Sequence, residues 1–285
     1  MMRSARAGTR DVLDRLTEWL LRPLRRATGH ILVAPLYSLY TARLWLEVLA
    51  HPVPRHLAVI LDGNRRFAER VGLDVRAGYA EGGGRVADVL RWSERAGIEA
   101  TTLWALSVDN LERPADQVAA LTRVIEDSVR ALLPIARLRG WRLRAIGRRA
   151  LLPASLQRML DEAEAQTAAA RRLVVQFAIG YGGREEILDA LRRWADEPEV
   201  RDQNARAALR TLTAADLTRH LYAADLADPD LILRTSGEIR LSGFLLWQSV
   251  HAEFYFTDVL WPEFREIDFL RALRDYQRRS RRFGR

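Results

Sequence analysis

The 285-residue chain contains no cysteine, which excludes disulfides, thiolate metal sites and a cysteine nucleophile. It also contains no lysine, so all 45 basic residues are arginine. A phosphate loop of the G-x-x-x-x-G-K-[ST] type cannot be built from it, nor a Schiff base on lysine. Long apolar runs are missing too. The most apolar N-terminal stretch, residues 31–50, is broken by Pro35, Arg43 and Glu47, short of the roughly 20 clean apolar residues a span needs. No secretory leader is recognisable, and the lack of cysteine fits a reducing compartment, so the expectation is a cytoplasmic protein.

Net positive charge is absent from the middle of the chain. The net +8 lies at the ends: residues 1–55 carry nine arginines against four acids, and residues 271–285 seven against one, leaving the centre net negative. A nucleic-acid binder would carry its basic face across the folded body, so nucleic acid is not an expected partner. Basic ends suit a membrane surface or anion contacts made by a tail. What remains is a globular composition, 48% apolar and 29% charged, with ample length for a core.

Leu13, Leu16, Leu20, Leu24, Ala27 and Ile31 recur at helical spacing, with Arg15, Arg22, Arg25 and Arg26 off the stripe. This basic amphipathic segment either lies on an anionic membrane, a peripheral contact through residues 10–33 at its inner face, or packs on the domain. A second helix is predicted from Leu36 to Leu49. Short apolar runs then alternate with helical stripes: strands at 57–61, 101–106, 143–146, 174–179 and 231–233, with a sixth at 254–256. Between them stand a helix opened by Gly82-Gly83-Gly84 and ended by Gly97, helices at 114–139 and 153–169, and one after Gly180–Gly183 carrying Ile187, Leu188, Leu191 and Trp194. A polar surface connection at 196–212, a capping pair Thr213/Asp216 and a closing basic helix from about Ile267 complete the order. Alternating strands and helices imply right-handed βαβ units. The predicted fold is a single α/β domain, residues 55–285. It has a mainly parallel central sheet of about six strands flanked by helices, preceded by a helical extension, residues 1–54.

Chemistry is concentrated after the strands. The run Leu57–Leu61 ends at Asp62-Gly63-Asn64-Arg65-Arg66. A carboxylate and a donor-rich loop at the carboxyl end of a buried strand suit a metal and an anion; a plain turn with Asp62 capping the next helix fits the same letters. Three further clusters follow strands: Ser107 to Arg113, Gly180 to Arg184, and Arg234 to Ser242. Each combines arginine with small or hydroxyl residues, as a substrate with two phosphate-like groups requires.

Those strings resemble the cis-prenyltransferases, the undecaprenyl diphosphate synthase family. The matching stretches are 56–68, 106–114, Tyr181 to Arg184, 230–248, 253–262 and the closing 281–284. The Pro35–Leu44 segment is similar to the actinobacterial short-chain branch, which includes Z-farnesyl diphosphate synthases. The resemblance implies condensation of isopentenyl diphosphate with an allylic diphosphate, geranyl or farnesyl diphosphate. The product would be a Z-configured prenyl diphosphate, short-chain such as Z,E-farnesyl diphosphate, with Mg²⁺ as cofactor, a homodimer and a hydrophobic tunnel. A medium-chain polyprenyl synthase for a cell-wall lipid carrier, and a non-catalytic partner subunit of the same fold, are the alternatives.

Carried over position by position, the resemblance makes Asp62 the catalytic aspartate and a Mg²⁺ ligand, Glu253 the second metal carboxylate, and Asn110 an aid to proton removal. Gly63, Asn64, Arg65, Arg66 and Phe67 would hold the allylic diphosphate. Arg76, Tyr79, Ser107, Val108, Asp109, Leu111 and Arg113 would line the same site. Arg234, Arg240, Leu241 and Ser242 would bind isopentenyl diphosphate. Arg282 and Gly284 would complete a neighbouring subunit's site. The chain departs from the family pattern at Phe67 (usually Trp), Arg65 (commonly Gly), Tyr79 (often His) and Ile239 (His in some members). Product length would follow bulk along the tunnel, where small Ala105 stands among large Trp104 and Phe177.

Overall fold

The computed structural model describes residues 30–279. The predicted amphipathic segment at 11–31 falls almost wholly outside that range, as do Arg282 and Gly284.

β1 (His56–Ile60) is buried at every position because both faces of the sheet are covered. Leu57 and Val59 enter one core; Ala58 and Ile60 enter a second, smaller one on the opposite face. This period-two division explains why the sequence reads as an unbroken apolar run. β2 (Ala100–Ser107), β3 (Trp141–Ile146), β4 (Leu173–Tyr181), β5 (Leu231–Arg234) and β6 (Glu253–Phe256) complete a six-stranded sheet in the order β3-β4-β2-β1-β5-β6. Every pairing is parallel, so the sheet is wholly rather than mainly parallel. β1 has β2 on one side and β5 on the other. The chain therefore leaves β1 in both directions, and a crevice opens at the carboxyl ends of these three strands.

Eleven helices flank the sheet among the described residues: α1 (His30–Leu49), α2 (Asn64–Val71), α3 (Val75–Ala96), α4 (Val108–Leu111), α5 (Ala115–Arg139), α6 (Ala154–Thr167), α7 (Gly183–Ala195), α8 (Pro198–Arg201), α9 (Ala205–Thr211), α10 (Ala214–Arg219) and α11 (Glu266–Arg278). α3, α5, α6 and α11 pack on the larger core with Leu90, Ile125, Leu156 and Phe269. Pro114 and Pro153 stand one residue before α5 and α6, where a fixed φ and a missing N–H cost nothing. Gly97 ends α3 at φ 82°, returning its N–H to Ser93 and Glu94. Thr213 and Asp216 form the reciprocal cap of α10.

Three expectations need correction. Gly82–Gly84 do not open a helix; α3 starts eight residues before Gly83, capped by Asp74, whose side chain accepts from the Ala77 N–H. Two of the three lie mid-helix where neighbours approach closely: a Cβ on Gly82 would stand 2.0 Å from Asn64 Oδ1, and one on Gly83 2.6 Å from Ser128 Oγ. The connection at 196–212 is largely helical, holding α8 and α9. Finally, α1 begins before Leu36 and shares the larger core through Leu44, Trp45 and Val48, with Trp45 Nε1 donating to Glu266 of α11 at 2.7 Å. A boundary at residue 54 thus cuts through one core.

Candidate active site

The carboxyl ends of β2, β1 and β5 meet at a cavity of about 740 Å³. β1 supplies Asp62, two residues past its end, β5 supplies Arg234, and β2 supplies Ser107. The register places Ile60 beside Arg234 and Trp104.

Arg234 is the centre of the polar wall. Its side chain is only 5% exposed. Nη2 donates to Asp62 Oδ2 at 2.8 Å; Nη1 donates to Ser242 Oγ at 2.9 Å and to the Arg240 carbonyl. Thr235, next along, is fully buried and fastens the same loop. Asp62 N–H donates to its hydroxyl, which in turn donates to the Asp62 carbonyl at 2.6 Å. Burial raises the pKa of Asp62, but hydrogen bonds from Arg234 and Ser236 and the charges of Arg234 and Arg66 outweigh it. The carboxyl is held below the usual carboxylate range.

The loop after Asp62 is shaped by glycine. Gly63 adopts φ 108°, and a Cβ there would meet Leu260 at 2.9 Å. As the first residue of the turn into α2, Gly63 gives no side-chain cap, leaving a helix N-terminus available to an anion. Arg66 is tethered to Ser236 by two hydrogen bonds and lies 3.5 Å from Glu238. Ser236 (φ 79°) and Ser242 (φ 50°) are both left-handed non-glycine residues, a costly conformation on either side of Glu238 and Arg240. On the β2 side, Ser107 and Asn110 form a reciprocal cap of α4, and Arg113 Nη1 donates to Tyr79 at 3.2 Å.

Beside Glu69 and Ser128, the rest of the lining is largely apolar: Val86 on α3, Leu121, Val124, Ile125 and Val129 on α5, and Ala105 and Phe177 on the sheet. One cavity thus joins a wall of cations and donors to a greasy wall.

Thirteen residues singled out from sequence line it: Asp62, Gly63, Asn64, Arg65, Arg66, Tyr79, Ser107, Asp109, Asn110, Arg113, Arg234, Arg240 and Ser242. Phe67, Arg76, Val108, Leu111 and Leu241 do not. Leu111 and Leu241 pack on the two cores instead, and Arg76 is exposed in the first turn of α3. Glu253 is not brought to Asp62. It opens β6, level with Leu231 and Leu57, five positions short of Asp62, or roughly 16 Å along the strands. Its carboxylate is paired with Arg279 at 2.9 Å. Metal ligands must lie within about 2.0–2.6 Å of one ion, so Asp62 and Glu253 of one chain cannot share it. Residues without an assigned role from sequence include Thr235 and Ser236, visible only as small letters in the arginine string, and Gly82, Glu69 and Trp261, which tertiary packing brings in.

Among the described residues no group of three or more acids or histidines could hold a metal. A divalent cation fits nonetheless as one that brings its own ligands. Asp62 is a carboxylate held ionised, and Mg²⁺ characteristically takes one or two carboxylates together with substrate phosphate oxygens.

Residues 60–284 match the family model described as "Putative undecaprenyl diphosphate synthase". An isoprenyl transferase of Thermus thermophilus is 49% identical over 253 residues, 88% of this chain and 96% of that protein. A (2Z,6E)-farnesyl diphosphate synthase of Thermobifida fusca is 46% identical over 255 residues, 89% of this chain and 99% of its own. Among solved structures, lavandulyl diphosphate synthase of Lavandula x intermedia, in complex with dimethylallyl diphosphate, superposes with a TM-score of 0.77 at 34% identity. That match covers 82% of this chain and 99% of the other. On these matches and this fold, the chain belongs to the undecaprenyl diphosphate synthase family of prenyl transferases.

Proposed function

We propose that the cavity condenses isopentenyl diphosphate with an allylic diphosphate, geranyl or farnesyl, to give a short Z-configured prenyl diphosphate such as Z,E-farnesyl diphosphate. The observation that carries this is Arg234, buried and hydrogen-bonded at once to Asp62 and to the loop bearing Arg240 and Ser242. Two anion-binding walls are joined there beside one apolar lining.

In the reaction, the allylic C–O bond breaks and diphosphate departs. The isopentenyl double bond supplies the electrons of the new C–C bond, and loss of a proton to the released diphosphate forms the new double bond. Arg65, Arg66 and the first turn of α2 hold the allylic diphosphate and stabilise its growing charge. Arg234, Arg240 and Ser242 hold the isopentenyl diphosphate. Asn110, with its Oδ1 facing the Ser107 N–H at 3.4 Å, orients rather than takes the proton, because an amide is no base near neutrality. Mg²⁺, when bound at Asp62, supplies Lewis-acid stabilisation of the leaving group. The apolar wall takes the growing chain out of water, as a tunnel would.

The Thermobifida relative supports the short product, and the Arg234–Ser242 string supports isopentenyl diphosphate as acceptor. The basic last 15 residues, with Arg282 and Gly284, support a homodimer in which the tail completes the neighbour's site. Mixing an Asp62→Ala chain with a tail-truncated chain should then restore activity that neither has alone. The basic segment 10–33 supports peripheral attachment to an anionic membrane, with the enzyme in the cytoplasm. No helix among the described residues is long and apolar enough to cross a membrane.

The decisive assay supplies Mg²⁺, labelled isopentenyl diphosphate and each primer in turn. Elongated Z-products are expected; no product with any primer would overturn the reading, and product length distinguishes the short-chain from the medium-chain alternative.

A further inference from the structure

The turn carrying Ser242 folds back on the sheet around one buried ring. Ser242 and Leu245 adopt φ 50° and 45° on either side of Gly243 and Phe244, conformations that non-glycine residues keep only where the surroundings over-determine them. Phe244 is 0% exposed and belongs to the smaller core. Its ring stacks on Trp104 with centres 5.1 Å apart and planes 9° from parallel, and meets Tyr181 edge-on at 6.1 Å. Trp104 and Tyr181 are themselves edge-on at 6.5 Å. Stacked and edge-on contacts at these separations are the arrangements that aromatic pairs favour.

Trp104 is fixed by the sheet. It stands level with Ile60, whose partner on the other side is Arg234. Arg234 grips the Arg240 carbonyl and the Ser242 hydroxyl. The turn is therefore held from both sides of β1, at one point by polar contacts and at the other by a ring. The pairing of β2 with β4 shifts register between Trp104 and Leu106, and such bulges re-aim side chains. Here Trp104 packs on the smaller core, whereas Ala105 and Leu106 both pack on the larger one. Trp104 Nε1 is buried with no hydrogen-bond partner among the described residues. An unmet buried donor is a cost, so the position uses the ring face and not the N–H.

We propose that Trp104 is a positioning residue for isopentenyl diphosphate: its ring carries Phe244 and so holds residues 240–245 in the strained form that presents Arg240 and Ser242. This rests on the assignment of Arg240 and Ser242 to isopentenyl diphosphate. Without the ring face Phe244 loses its stacking partner, and the backbone at Ser242 and Leu245 is no longer over-determined. The turn relaxes, and Arg240 and Ser242 move with it. Trp104 also borders the cavity, but Arg65, Arg66 and the first turn of α2 belong to a different loop and keep their places.

The test is steady-state kinetics of the full chain with each substrate varied separately. Trp104→Leu keeps an apolar side chain but no ring face. It should raise KM for isopentenyl diphosphate by about fivefold, the scale of one aromatic pair, with KM for the allylic diphosphate changed by less than about twofold. Trp104→Phe restores a face and removes the unmet N–H, and should bring the isopentenyl KM back close to that of the parent. Phe244→Leu should shift the same constant in the same direction, and serves alone if Trp104→Leu does not fold. The double variant Trp104→Leu/Phe244→Leu should be little worse than either single one, because the contact is already gone. Equal rises in both KM values, a Trp104→Phe as damaged as Trp104→Leu, or fully additive losses in the double variant would overturn the positioning role. Arg240→Ala is the control for the underlying assignment. If it leaves the isopentenyl KM unchanged, that assignment falls; if it raises that KM while Trp104→Leu does not, only the positioning role falls.

Discussion

Arg234 Nη2 lies 2.8 Å from Asp62 Oδ2, joining the ends of the adjacent parallel strands β5 and β1. The pair is asymmetric: the arginine is 5% exposed and the aspartate 31%. Asp62 therefore does two things, neutralising a buried cation and facing the cavity. Asp62→Asn keeps the shape and removes the charge. It should lower kcat by at least about 10²–10³-fold, the scale of losing one preorganised electrostatic contact in a transition state. It should also reduce stability by about 1–3 kcal/mol, because the guanidinium loses its charged acceptor. Turnover within tenfold of the parent would remove Asp62 from the chemistry.

Gly82 and Gly84 make a matched pair of tests. Gly82 accepts from Trp261 Nε1 at 2.8 Å through its carbonyl, and a Cβ would stand 2.8 Å from Trp261 Cδ1 as well as against Asn64. Trp261 is 1% exposed and cannot yield; Asn64 must. Gly82→Ala should cost about 1–3 kcal/mol by overpacking and weaken allylic diphosphate binding. Gly84 has nothing within 4 Å, so Gly84→Ala should stabilise by about 0.5–1 kcal/mol through helix propensity. Thermal melts and allylic KM values check both; a neutral Gly82→Ala would show that Asn64 is free to move.

Ala105 lines the same cavity as the apolar residues of α5. Ala105→Leu adds three carbons to the apolar wall and should shift the product profile shorter, while Phe177→Ala opens the same wall and should shift it longer. Chromatography of dephosphorylated products reads both. Unchanged lengths in both variants would place the limiting contact elsewhere.

How legible this site was follows from where its information lies. Asp62, Arg234 and Ser107 end neighbouring strands, and a buried parallel strand followed by polar residues is a local signal. The string around Glu253 gives a strand but not the level of the acid relative to Asp62; only the β1–β5–β6 register shows that the two stand apart within one chain. Gly82–Gly84 read as a helix start because glycine punctuates locally. Its use here, admitting Asn64, Trp261 and Ser128, is a contact between distant segments. The packing of α1 on the core is hidden from the sequence for the same reason: Trp45 donates to Glu266, 221 positions away.

Asp189 offers a pH test remote from the cavity. Burial opposes its charge, but hydrogen bonds from Arg148, Tyr222 and Arg192 prevail and lower its pKa to about 2. The Tyr222 N–H donates to Glu186, and its hydroxyl meets Asp189 Oδ2 at 2.5 Å. A carboxyl with a depressed folded pKa stabilises the protein above the unfolded value near ~3.9. That contribution fades as the pH falls towards the folded value. Asp189→Asn should therefore destabilise by about 1 kcal/mol at neutral pH, after discounting for solvent around the pair. The difference from the parent should shrink steadily between about pH 4 and pH 2. Urea midpoints across that range measure it directly, and a difference that stays constant through the window would mean that Asp189 acts by shape and not by charge.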